Sequence, residues 1–213
     1  MTIRILLADD HAIMLEGLKA LLSAIPDFSV IAEVGNGREA VRRAQELKPD
    51  VVIMDISMPG LNGIEAARLI RDKCPGTRTI ILSMHSSSEY VFRAFQAGAT
   101  GYLLKESASD EIPAAVRTVC AGRRYLSLAI AGLDPGAQPD PGRAGPLDSL
   151  SARERHVLQL VVEGASSSEI AKLIHLSPKT VETYRSRLMK KLGVKDVTGL
   201  VKFAIEHGLT PSS

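Results

Sequence analysis

VVIMDISMPGLNG runs from Val51 to Gly63. Its first four residues are apolar, the fifth is Asp55, and the chain then turns at Pro59-Gly60. A short apolar run bounded by turn signals reads as a strand buried on both faces. Such a strand belongs to a parallel sheet covered by helices, and here it delivers one carboxylate at its carboxyl end. The flanking sequence repeats the pattern. Ile3–Ala8, Ser29–Glu33, Val51–Met54, Thr79–Ser83 and Gly101–Leu104 read as strands. Helices are predicted over His11–Ile25, Arg38–Leu47, Ile64–Lys73, Ser88–Ala97 and Asp110–Ala121. Five βα units in succession predict a doubly wound, five-stranded parallel sheet with helices on both faces. The ligand site of such a sheet lies beyond the carboxyl ends of its strands.

At those ends the polar residues accumulate. Strand one ends at Asp9-Asp10, strand three at Asp55, strand four at Ser83 and strand five at Lys105. An Asp at a strand end usually serves a turn or caps a helix, and a solitary Ser or Lys is usually solvated. Five such groups on one sheet edge make a joint pattern that those ordinary roles do not explain. Three crowded carboxylates repel one another and call for a cation, and an all-oxygen donor set suits Mg²⁺. With a metal in place Asp55 is a nucleophile towards phosphorus. The Ser83 hydroxyl and the Lys105 ammonium are placed to bind phosphoryl oxygens.

Composition narrows the setting. The 213 residues make one large domain or two modest ones. Two cysteines, Cys74 and Cys120, stand far apart in no metal-binding spacing, as expected in a reducing compartment. Neither a secretory leader nor a run of about 18 apolar residues is evident, so a cytoplasmic protein with no membrane association is expected. The net charge of +2 is unevenly spread. Residues 1–130 carry 15 basic and 15 acidic side chains, whereas 149–213 carry ten and six. A neutral front and a basic back suggest two tasks, the second on nucleic acid.

The two regions are joined by AGLDPGAQPDPGRAGPLD (Ala131 to Asp148), in which eight residues are Gly or Pro. It has no hydrophobic period and reads as a flexible linker. Beyond it every pattern is helical. SARERHVLQLVVEG opens on a capping box, Ser151 with Glu154, and stops at Gly164. A short helix follows over Ser166–Ile174. Ser177-Pro178 opens a third helix, to Leu192, with Gly193 as its stop. A last helix runs from Asp196 to Glu206. The order predicts a helix-turn-helix. On the third helix Val181, Leu188 and Leu192 form an apolar stripe towards the core. Glu182, Thr183 and Ser186 lie to one side, with Arg185 and Arg187 flanking. Short polar groups of this kind read base edges, and flanking cations fit phosphates.

Residues 1–122 resemble the receiver domain of two-component response regulators, on LADDHA, MDISMPGLNG, ILSMH and GATGYLLK. The resemblance implies a flavodoxin-like sheet in the order 2-1-3-4-5. It implies that a sensor histidine kinase phosphorylates Asp55. It further implies that Asp10, Asp55 and the backbone carbonyl of Ser57 hold Mg²⁺ directly, with Asp9 acting through water. Ser83 and Tyr102 stand where the family places its switch pair. Two departures accompany these matches: Met84 is bulkier than the small residue many receivers carry there, and Ser57 and His85 flank the site where the family tunes phosphoryl lifetime. Leu150 to Gly208 resembles the LuxR-type DNA-binding domain, on LSARE, EIAKLI, SPKTVETY and KKLGV. By family position Glu182, Thr183 and Ser186 meet bases, while Lys179, Tyr184, Arg185, Arg187 and Lys191 lie nearer the DNA backbone. Here Ser166–Ser168 replaces a frequent Ser-Asn-Lys run, and Tyr184 a frequent His.

Together the halves resemble the NarL/FixJ family. The expected organisation is a receiver over 1–122, a linker over 123–148 and a helix-turn-helix domain over 149–213. The expected function is a phosphorylation-switched transcription regulator that binds promoter DNA as a homodimer. It is not expected to be an enzyme. Two alternatives stay open at this stage. One is a Mg²⁺-dependent phosphohydrolase working through an aspartyl phosphate, although haloacid-type enzymes carry a second Asp where this chain has Ser57. The other is a DNA-binding protein whose receiver is a passive dimerisation module.

Overall fold

The computed structural model of the chain describes residues 2–134, 150–174 and 176–206. Most of the expected linker, residues 135–148, lies outside the described residues. The chain forms two compact units, and each is built around its own core.

The first unit alternates strand and helix. Its elements are β1 (Ile3–Ala8), α1 (Ala12–Ser23), β2 (Phe28–Val34), α2 (Gly37–Leu47), β3 (Val51–Asp55), α3 (Gly63–Lys73), β4 (Arg78–Ser83), α4 (Ser88–Ala97), β5 (Gly101–Leu104), α5 (Ala108–Cys120) and a short β6 (Tyr125–Leu126). The sheet is parallel throughout, in the order β2-β1-β3-β4-β5-β6. This is the expected flavodoxin-like order with one edge strand added. All five residues of β3 are buried, and their side chains alternate between two cores. Val52 and Met54 join Leu6, Ile81 and Tyr102 against α2, α3 and α4. Val51 and Ile53 join Ile5, Leu7, Ile80 and Leu82 against α1 and α5. That is the period of two of a strand covered on both faces.

The sixth strand falls within 123–134, a stretch expected to belong to the linker. Residues 125–126 pair with Gly101 and Tyr102 of β5. Glu111, buried on α5, accepts hydrogen bonds from the Tyr125 hydroxyl (3.0 Å), the Ser127 hydroxyl (2.7 Å) and the Leu128 backbone N–H (3.0 Å). Two strand residues are too few to show a period, so this segment has no sequence signal of its own.

The second unit is all-α. It contains α6 (Ala152–Val162), α7 (Ser167–Ile174), α8 (Pro178–Leu192) and α9 (Val197–Glu206). Ser151 and Glu154 form the predicted capping box of α6. Ser177 caps α8 by accepting from the Thr180 N–H, Pro178 fills its first turn, and Gly193 ends it with φ 67°. Val181 and Leu188 are fully buried among Val157, Leu158, Ile170, Leu200 and Ala204, with Leu192 half-buried beside them. The predicted stripe is therefore the face by which α8 joins the core. No helix among the described residues is long and apolar enough to cross a membrane.

Candidate functional site

β1 and β3 are neighbours, with Ala8 opposite Met54. The residues that follow, Asp9 and Asp55, therefore emerge side by side, and both are buried. Lys105, just past β5, reaches between them. Its Nζ donates to Asp9 Oδ2 at 2.9 Å and lies 3.1 Å from Asp55 Oδ2. The other Asp55 oxygen accepts from the Ile56 N–H at 2.8 Å. His11 joins the cluster, its Nδ1 lying 3.0 Å from Asp9 Oδ1 and 2.9 Å from Asp10 Oδ1.

Charge in this pocket is balanced against burial. Burial pushes the Asp55 carboxyl above its ordinary value; Lys105 opposes the rise and Asp9 adds to it. Burial also works against the Lys105 ammonium, but Asp55 and Asp9 outweigh it and hold its pKa above the usual lysine value.

The loop from Ile56 to Asn62 brings the chain back onto the same spot. Gly60 turns it with φ 73°. Asn62 caps α3 by accepting from the Glu65 N–H at 2.9 Å. Gly63 donates its N–H to the Ile56 carbonyl at 2.9 Å. A Cβ at Gly63 would stand 2.0 Å from the backbone oxygen of Asp55. Only glycine admits that approach, which explains the end of the VVIMDISMPGLNG segment.

Ser83 and Tyr102 converge on one residue. The Ser83 hydroxyl, buried, accepts from the His85 N–H at 3.0 Å. The Tyr102 hydroxyl donates to the His85 carbonyl at 2.7 Å, and its ring is fully buried. The His85 ring in turn stacks on Tyr90, with centroids 4.2 Å apart and planes 9° from parallel. Burial lowers the pKa of His85 and raises that of Tyr90 to about 12. Met84, between Ser83 and His85, is 60% exposed.

On the second unit α8 presents Lys179, Glu182, Thr183, Ser186, Arg187 and Lys190 as exposed residues opposite its buried stripe. Tyr184 and Arg185, expected near the DNA backbone, are half-buried, and Tyr184 packs on the core. Lys191 is exposed, yet its Nζ donates to Glu154 Oε2 at 2.8 Å, tying α8 to the capping box of α6. The Thr183 hydroxyl donates back to the Lys179 carbonyl at 3.0 Å.

Asp9, Asp10, Asp55, Ser83, Lys105 and Tyr102 are thus drawn to one sheet edge from four strands. Sequence reading left out His11, the backbone of His85 as the meeting point of Ser83 and Tyr102, and Glu154 as the partner of Lys191. The first had a signal, its adjacency to Asp9-Asp10. The other two are pairings made only by the fold.

Residues 5–117 match the response regulator receiver domain family, and residues 148–204 match the family of bacterial regulatory proteins of luxR type. The transcriptional regulatory protein MctR of Rhizobium johnstonii is 39% identical over 207 residues, covering 97% of this chain and 95% of that protein. The response regulator UvrY of Escherichia coli K12 is 37% identical over 208 residues, covering 97% and 95%. A solved structure of two RcsB dimers bound to two parallel DNAs is 26% identical, with a TM-score of 0.60, covering 96% of this chain and 98% of that one.

Proposed function

The chain belongs to the NarL/FixJ family of two-component response regulators, and on that footing we propose that Asp55 is its phosphoacceptor and the exposed face of α8 its DNA-reading surface. As in the family, it is a phosphorylation-dependent, DNA-binding transcription regulator. The observation that carries the site assignment is Lys105 spanning Asp9 and Asp55 beside an acidic cluster. The donor is the phosphohistidine of a sensor kinase, and the place of action is the cytoplasm. The phosphorylated chain pairs with a second copy on promoter DNA, a reading supported by the structure of two RcsB dimers bound to two parallel DNAs.

The acidic cluster fits Mg²⁺. Asp9, Asp10, His11 and Asp55 each offer a ligand atom within 4.8 Å of the others. Asp10 Oδ1 is buried without a hydrogen-bond partner, and His11 Nδ1 lies 2.9 Å from it. Asp10, Asp55 and the Ser57 carbonyl would hold the ion, with Asp9 acting through water. When bound, the ion neutralises the carboxylates and draws in the phosphoryl oxygens. The residues do the rest. Asp55 attacks phosphorus with its carboxylate oxygen, the P–N bond to the kinase histidine breaks, and the imidazole leaves with the electron pair. Lys105 moves its donors from Asp9 and Asp55 to the incoming phosphoryl group. Ser83 turns from the His85 N–H towards that group. The His85 backbone, held also by Tyr102, then follows, which carries the change to α4 and β5.

Acyl phosphate with Mg²⁺ should give one phosphoryl adduct per chain by intact mass, and none once Mg²⁺ is chelated. Steady release of inorganic phosphate from many monoesters would instead identify a phosphohydrolase. Absence of any adduct would identify a passive receiver.

Sorting of the α8 cations is testable too. Arg187→Ala should weaken binding to all sequences alike and reduce the salt slope by about one unit for each bound subunit. Lys191→Ala should do the same and also lower the melting temperature slightly, because it removes the tie from α8 to Glu154 while the Ser151 hydrogen bonds remain. Titrations at four salt concentrations, with thermal melts alongside, read both effects. A changed base preference with an intact slope for Arg187→Ala would refute the sorting.

A further inference from the structure

Ser167, the first residue of α7, lies against α8. Its hydroxyl donates to Glu182 Oε1 and accepts from Arg185 Nη1 at 2.8 Å. Arg185 Nη1 is 3.8 Å from the same Glu182 oxygen. A serine hydroxyl has one proton and two lone pairs, so here it gives the proton to the acid and a lone pair to the base. The result is a closed, charge-balanced triad spanning the two helices of the helix-turn-helix. Ser167 is not needed for the start of α7. That end is held by Ser166, whose N–H and hydroxyl donate to Glu169 Oε2 at 2.8 and 2.7 Å and whose oxygen accepts from the Glu169 N–H at 3.3 Å.

The triad constrains one exposed group. Glu182 is 61% exposed, and a long flexible acid at that exposure normally samples many rotamers and loses that freedom on binding. With Oε1 held, Oε2 is the oxygen left to accept from DNA. An ionised carboxylate only accepts hydrogen bonds. In the major groove cytosine offers an N4 donor, whereas adenine sets the N7 acceptor beside its N6 donor, and guanine and thymine offer acceptors. A fixed carboxylate therefore favours cytosine, meets an acceptor beside the donor of adenine, and is repelled by the acceptors of guanine and thymine.

We propose that Ser167 is a positioning residue for DNA specificity: its hydroxyl fixes the Glu182 carboxylate so that α8 selects a cytosine at one position of each half-site. The proposal rests on the reading of α8 as the DNA-facing helix. The test is selection from random duplexes with the full-length protein treated with acyl phosphate and Mg²⁺. Wild type should enrich one position for cytosine by about tenfold. Glu182→Gln should move that position to adenine, since an amide both donates and accepts. Ser167→Ala should relax that one preference to below about threefold, leaving the other positions and the salt slope in place. Ser167→Thr, which keeps the hydroxyl, should retain it. Unchanged cytosine preference in Ser167→Ala would overturn the proposal. So would a uniform loss at every position together with a lower melting temperature, because that is what a purely structural serine produces. If wild type enriches no motif at all, the reading of α8 fails along with it.

Discussion

Replacing Asp55 with Asn is expected to remove every trace of the phosphoryl adduct while leaving a folded, more heat-stable protein. The loss follows from chemistry, because an amide oxygen does not attack phosphorus and the remaining acids of the cluster lack the position between Lys105 and the Asp55–Gly63 loop. The gain follows from the buried charge. The Asp55 carboxyl is held above its ordinary value, by burial first and by Asp9 as well, even after the attraction of Lys105. A group of this kind lends its stability below the ordinary carboxylate range and loses it as pH rises through the elevated value. Above that elevated value the native chain carries the charge at a cost, and asparagine carries none. Asp55→Asn should therefore melt a few degrees above wild type at pH 7 without Mg²⁺, and the gap should close as the pH is lowered. Intact mass after acyl-phosphate treatment checks the first half, and thermal melts across pH check the second. Asp9→Asn and Asp10→Asn should weaken labelling rather than abolish it. An adduct of undiminished yield on Asp55→Asn would place the acceptor elsewhere.

Gly63→Ala should be the most damaging single methyl in the receiver. Its Cβ would meet the Asp55 carbonyl oxygen at 2.0 Å and the Asp55 carbonyl carbon at 2.9 Å. Both are backbone atoms of a central strand and cannot swing aside. The loop or the start of α3 must move, so the cost should reach about 3 kcal/mol or more, lowering the melting temperature by on the order of 10 °C. Because the displaced atoms belong to Asp55, phosphoryl labelling should slow as well. Gly17→Ala is the matched control. Gly17 lies inside α1 with nothing within 4 Å of its Cβ position. There the methyl only improves helix propensity and should stabilise by about 0.5–1 kcal/mol. Equal melting temperatures for the two variants would mean that the close approach at Gly63 is not real.

The parallel sheet could be read from sequence because its strands are apolar on both faces and its helices amphipathic, so each element carried its own period. Asp9, Asp55, Ser83 and Lys105 were legible for the same reason: a strand end is a defined place, and the strand order puts those ends together. The short β6 was not. Two residues show no alternation, and what seats them is Glu111 reaching from α5. The α8 cations were legible as a basic face but not in their pairings. Lys191 and Arg185 look like any exposed cation until the fold brings Glu154 to one and Ser167 to the other. The role of His85 in joining Ser83 to Tyr102 was not legible, since its backbone makes both contacts and no side-chain pattern reports a backbone contact.

Phosphorylation at Asp55 should set DNA affinity. A selected duplex titrated at one salt concentration with full-length protein, before and after acyl phosphate and Mg²⁺, with Asp55→Asn treated in parallel, reads that dependence. Treated wild type should bind on the order of tenfold more tightly than untreated wild type, and Asp55→Asn should not respond. Equal affinity for treated and untreated wild type, or an equal response from Asp55→Asn, would contradict it.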